Sequence, residues 1–117
     1  VDEKTGFRYY SVDPENGFYL NGEHLDLDGF GRHEDVTGKG SALTPDDYTR
    51  DMALIMESGA TALRLTHYPH GKSMYELSDE NGIILSTEIP FVGPGGYTGP
   101  GYIRSELLEK NIKTMLV

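Results

Sequence analysis

The sequence predicts an α/β protein built on parallel strands, and two observations carry that prediction. Short apolar runs at residues 24–30, 61–65 and 83–88 read as strands, and a segment of helical periodicity follows each one. A β preamble comes first, and no internal repeat or low-complexity tract interrupts the order. Strand–helix–strand alternation implies parallel pairing with right-handed crossovers. Two architectures accept it: a doubly wound open sheet and a (β/α)8 barrel. A whole barrel takes about 250 residues, so a chain of 117 could hold only part of one.

Taken in order, residues 6–10 read as a short strand or linker strand. Asp13, Pro14, Asn16 and Gly17 form a strong turn signal. Asn21-Gly22 then suits a type I′ hairpin, whose two central residues both need positive φ. Residues 31–44, with Gly31, Gly38 and Gly40, predict a long loop. Thr44, Pro45, Asp46 and Asp47 combine an N-cap hydroxyl, a proline at the first helical position and acids at the positive dipole end. Tyr48, Met52, Ile55 and Met56 continue that helix until Gly59 stops it. A second helix over residues 73–81 is expected to bury Met74, Leu77 and Ser78 and to end at Gly82. Residues 89–102 form a Gly- and Pro-rich stretch carrying Phe91, Tyr97 and Tyr102, either a wall for stacking sugars or a loop that packs down. A third helix over residues 103–116 shows an apolar stripe expected to be core, with Glu106/Lys110 and Glu109/Lys113 as i,i+4 pairs opposite it.

Composition excludes several functions. Ten Lys and Arg against nineteen Asp and Glu give a net charge of −9, which disfavours nucleic acid and anionic membranes as partners. The absence of Cys rules out disulfides, thiolate metal sites and a cysteine nucleophile. No apolar run approaches the roughly 18 residues that span a bilayer. The chain starts at Val1 without an initiator Met or a signal peptide and stops at Val117 within a helical pattern, so a piece of a longer protein is expected.

Active sites of parallel α/β folds form at the carboxyl ends of the strands. All three strands deliver ionisable groups there: Arg32, His33, Glu34 and Asp35 after the first, Arg64, His67 and His70 after the second, Glu88 after the third. Other motifs are weaker. Gly71-Lys72-Ser73 opens a helix, but a phosphate loop needs glycine where Thr66 stands. Gly29 and Gly31 begin a dinucleotide fingerprint whose third glycine is replaced by Glu34. His33, His67 and His70 match no compact metal-ligand spacing.

At residues 28–35 (DGFGRHED) and 61–69 (TALRLTHYP) the sequence resembles glycoside hydrolase family 2, the family of β-galactosidases, β-glucuronidases and β-mannosidases. The likeness extends through Met74, Tyr75, Leu77, Asp79, Gly82 and residues 83–85, and residues 17–22 look like the family's entry hairpin. It implies the first three β/α units of a (β/α)8 TIM barrel. Residues 1–20 would be a linker and entry strand from a preceding β-sandwich domain, and residues 21–117 the partial barrel. It also implies a retaining exo-glycosidase acting on terminal β-D-galactosides, with β-glucuronidase of the same family or a non-catalytic carbohydrate-binding module as alternatives. Both catalytic Glu residues are expected beyond Val117, so the chain alone should be inactive. By motif match His33 and His67 would hydrogen-bond the sugar, with Arg32, Asp35, Arg64, Tyr68 and Glu88 supporting the rim. An ion pair of Arg64 with Glu88 or Asp35 is favoured over direct sugar contact.

The departures from the pattern are informative. Thr61 and Gly31 stand where the family usually has Asn, and Thr87-Glu88 replaces an Asp-Glu pair. The Glu and His that bind magnesium in the metal-dependent β-galactosidases have no counterpart in residues 89–94, so no cofactor and no metal is expected. The form E-x-P-x-V-G over residues 88–93 is similar to β-glucuronidases. The expected partner is a β-galactoside or related oligosaccharide, and unpaired strand edges predict self-association. A soluble parent is expected, with its compartment open between periplasm and cytoplasm.

Overall fold

The computed structural model describes residues 5–90 and 106–115. The chain forms β1 (Tyr10–Asp13), β2 (Gly17–Leu20), β3 (Glu23–His24), β4 (Gly29–Arg32), α1 (Pro45–Glu57), β5 (Ala62–Leu65), α2 (Lys72–Asn81), β6 (Ile84–Thr87) and α3 (Glu106–Met115). These strands make two sheets: an antiparallel meander β1-β2-β3 and a parallel sheet β4-β5-β6.

Local chemistry sets the meander. The Asp13 carboxylate accepts the N–H groups of Glu15 and Asn16 at 2.9 and 2.7 Å, closing the first turn and holding its own pKa below the usual carboxylate value. Asn21 and Gly22 turn with φ of 52° and 87°, the positive pair a type I′ hairpin requires. The first strand lies later than residues 6–10, because the four-residue β2 pairs only as far as Tyr10 opposite Leu20.

Residues 24–30 do not form one strand. Glu23–His24 closes the meander and Gly29–Arg32 opens the parallel sheet. Between them Thr61 takes the backbone groups a ladder would use: its hydroxyl donates to the Asp26 carbonyl and accepts the Asp28 N–H at 2.9 Å. Thr61 thereby ties the change of sheet to the start of β5.

Helix α1 begins at Thr44, whose N–H and hydroxyl both donate to the Asp47 carboxylate, at 2.9 and 2.7 Å. Its Tyr48, Met52 and Ile55 pack with Leu63, Leu65, Met74 and Ile83 to form the core. Met56 is exposed, since it lies one residue off that i, i+4, i+7 face. Met74 and Ser78 of α2 are buried, Leu77 is half-buried, and Gly82 ends the helix in the left-handed conformation.

The apolar stripe of α3 is not core. None of its residues is buried, and Leu107 and Ile112 lie open. Three parallel strands offer two seams for crossover helices, and α1 and α2 supply two helices for them. The i,i+4 pair Lys113–Glu109 forms as expected, at 2.6 Å. Phe91, Tyr97, Tyr102 and the start of the last helix at residue 103 lie outside the described residues.

Candidate functional site

Parallel register places the site. Gly31, Arg64 and Ser86 are abreast, as are Arg32, Leu65 and Thr87. The next residues of each strand, His33, Thr66-His67 and Glu88, therefore leave the sheet at one edge. Two polar clusters form there.

The open cluster gathers His33, Arg64, His67, Tyr68 and Glu88. Glu88 accepts a close hydrogen bond from Arg64 Nε, and its other oxygen lies 3.0 Å from His67 Nδ1. The Arg64 bond, aided by His67, holds the Glu88 pKa below its ordinary value against an opposing effect of burial. An ionised carboxylate only accepts, so Nδ1 of His67 carries the proton. In the neutral ring Nε2 is then left as an acceptor. The His33 ring stands edge-on to His67 at 5.4 Å between centroids, with Tyr68 at 6.4 Å. Of the two ion-pair partners expected for Arg64, Glu88 is the one observed.

The buried cluster lies beneath. Arg32 is placed here rather than on the exposed rim: it is 7% exposed and donates to Asp51 at 2.7 Å. Side-chain alternation explains this, because Arg32 shares the face of buried Leu65. Its second nitrogen reaches His70 Nδ1 at 3.2 Å. Arginine has no acceptor, so this ring nitrogen accepts and Nε2–H donates to the Thr66 carbonyl at 3.0 Å. Burial lowers the His70 pKa, consistent with a neutral ring. Glu34 accepts the Gly71 N–H with both oxygens at 2.9 Å and takes a close bond from the Tyr48 hydroxyl. Burial, with Glu34 adding to it, pushes the Tyr48 phenol up to about 12. Asp35 is exposed and borders an open hollow of about 340 Å3 with His33, Asp51 and Leu54.

Sequence reasoning placed His33, His67, Arg64 and Glu88 at one edge and did not find the roles of Glu34, Tyr48, Asp51, Thr66 and His70. One signal was present. Helix α2 starts at Gly71, which has no side chain to cap it, so an outside acceptor is required. Among the described residues, no group of three or more His, Asp or Glu is arranged to hold a metal ion. No helix among them is long and apolar enough to cross a membrane.

A parallel β/α sheet with imidazole, guanidinium and carboxylate groups past its strand ends is an α/β domain with its polar side chains where such folds carry their sites. Residues 12–112 match the family model described as glycosyl hydrolases family 2, TIM barrel domain. The chain belongs to that family. It is 46% identical over all 117 residues to a β-glucuronidase of Bacteroides fragilis, of which it spans 17%. It is 37% identical over 83 residues to the β-galactosidase large subunit of Lactobacillus helveticus, covering 71% of this chain and 13% of that one. Among solved structures, an FMN-binding β-glucuronidase from Facaelibacterium prausnitzii L2-6 superposes with a TM-score of 0.70 and 45% identity, covering 72% of this chain and 13% of the other.

Proposed function

We propose that this chain is the opening wall of the catalytic barrel of a retaining exo-β-glucuronidase, with β4, β5 and β6 as its first three barrel strands. The observation that carries the reading is the 46% identity, over the whole chain, to the Bacteroides fragilis β-glucuronidase. The site chemistry supports it. Glu88 holds the His67 ring through Nδ1, which leaves Nε2 to bond a sugar hydroxyl, and His33 stands beside it. Arg64 pairs with Glu88 and so steadies the carboxylate that holds His67.

A retaining mechanism needs two carboxyl groups about 5–5.5 Å apart, one a nucleophile and one an acid/base. Both rim Glu residues are already committed, Glu34 to Gly71 and Tyr48, and Glu88 to Arg64 and His67. The resemblance to glycoside hydrolase family 2 implies that the two reacting Glu residues follow later barrel strands, so this reading expects them in sequence after Val117. This wall binds and orients the sugar, and its hydrogen bonds tighten as the ring flattens in the transition state. The reading takes no magnesium.

A galactoside substrate is the second reading. It is favoured by the Lactobacillus helveticus relative and by a putative β-galactosidase structure from Bacteroides fragilis, with a TM-score of 0.72 and 41% identity over 75% of this chain and 13% of that one. Hydrolysis of p-nitrophenyl β-D-glucuronide and β-D-galactoside by the full-length protein separates them. A glucuronide preference of at least about tenfold in kcat/KM is expected. Preference for the galactoside overturns the first reading, and turnover by the 117-residue chain alone overturns the missing-carboxylate argument.

A further inference from the structure

We infer that Glu34 is a positioning residue that sets the spacing of His33 and His67, an inference that rests on the glycosidase reading above. The loop from Thr66 to Gly71 carries His67 and is pinned to the loop after β4 at successive points. At its start, the Thr66 N–H and hydroxyl both donate to the Arg32 carbonyl at 3.0 Å. In its middle, the Tyr68 hydroxyl accepts the Glu34 N–H at 3.4 Å. At its end, the Gly71 N–H lies on both oxygens of the Glu34 carboxylate at 2.9 Å. Two of the three pins thus fall on Glu34, the residue next to His33 in the chain.

The fit at Gly71 is close. A Cβ there would come within 2.3 Å of the Tyr48 hydroxyl and 3.0 Å of Glu34 Oε1, so backbone, phenol and carboxylate meet with no spare volume. Tyr48 holds the carboxylate from α1, and α1 is anchored in the core. Glu34 therefore carries the rigidity of the core to the two imidazoles without facing the sugar itself. A displacement of about 1 Å in a substrate-positioning group can cost on the order of 10²-fold in rate.

The test is a double-mutant cycle in the full-length enzyme with the preferred glycoside. Glu34→Gln is expected to lower kcat by roughly 10- to 100-fold while KM moves by less than about threefold. Combined with His67→Ala, it should slow the enzyme no further than His67→Ala does alone, because Glu34 acts through that ring. An unchanged kcat, or losses that multiply, overturns the inference. If Glu34→Gln fails to fold by circular dichroism, Tyr48→Phe removes one bond of the clamp. It should lower kcat about two- to fivefold with the same lack of additivity, and an unchanged kcat again overturns the inference. If the native enzyme cleaves neither glycoside, the glycosidase reading has failed. A crystal structure of the Glu34→Gln protein then decides the positioning separately: a His33–His67 centroid distance displaced from 5.4 Å supports it, and an unchanged distance overturns it.

Discussion

Past the strand ends lie two polar clusters built from the same residue types, one beneath the other, that differ in how far their cations and imidazoles are buried. Around Arg32 the guanidinium and the His70 imidazole are buried, and the partly exposed carboxylates of Asp51 and Glu34 lie against them. Around Arg64 the carboxylate of Glu88 is no more open than Asp51, but the guanidinium is exposed and the His67 ring partly so, and Glu88 engages His67 through Nδ1 alone. Burial turns such a set into scaffold, because polar atoms cut off from water depend on partners within the protein. Exposure leaves part of its bonding capacity for a ligand. The inner cluster fixes positions, and the outer one offers contacts.

Breaking the inner cluster has the largest expected effect. Asp51→Ala leaves the Arg32 guanidinium buried without its carboxylate, and Arg32 Nε already lacks a partner among the described residues. A loss of about 3–5 kcal/mol is expected in urea unfolding of the full-length protein. Gly71→Ala forces a methyl group against Tyr48 and Glu34 and should cost about 1–3 kcal/mol by the same measurement.

Acid separates the clusters by pH window. The His70 pKa is depressed in the fold, so below the unfolded value of about 6.5 the unfolded chain binds a proton that the folded chain does not. The His70 contribution is fully present above that value and declines as pH falls toward the lowered folded one. His70→Gln should flatten this part of a stability-against-pH curve. Glu88 is likewise depressed, but its contribution is lost only below the ordinary glutamate range of about 4.3. The smallest effect is expected for Arg64→Ala, at most about 1 kcal/mol, because more than half of the Arg64 side chain is exposed to solvent. A larger loss than Asp51→Ala causes would erase the distinction between the clusters.

Much of this was legible wherever one residue determines its own geometry. Asn21-Gly22, Pro45 after Thr44, and Gly82 each mark a boundary by backbone preference alone. The edge carrying His33, His67 and Glu88 was legible because parallel strands in register end together. The inward direction of Arg32 follows from its alternation with Gly31, whereas its charge alone points to the rim. The Glu34–Gly71 clamp was not legible, since it joins a side chain to a backbone N–H 37 residues away. The stripe of α3 showed a face but not what lies against it. Periodicity identifies a surface to be covered, and its partner is fixed only by the tertiary structure.

The clamp also makes the cap of one helix depend on a distant part of the chain. Helix α2 starts at a glycine and borrows its terminal acceptor from a loop formed by an earlier part of the chain. Its first turn is thus completed by a long-range contact, in contrast to α1, which closes on its own Thr44 and Asp47. Helix α1 can nucleate locally, whereas α2 becomes fully capped only once β4, β5 and the loops beyond them have met. The contact that completes this helix cap is also one that joins the loops carrying His33 and His67.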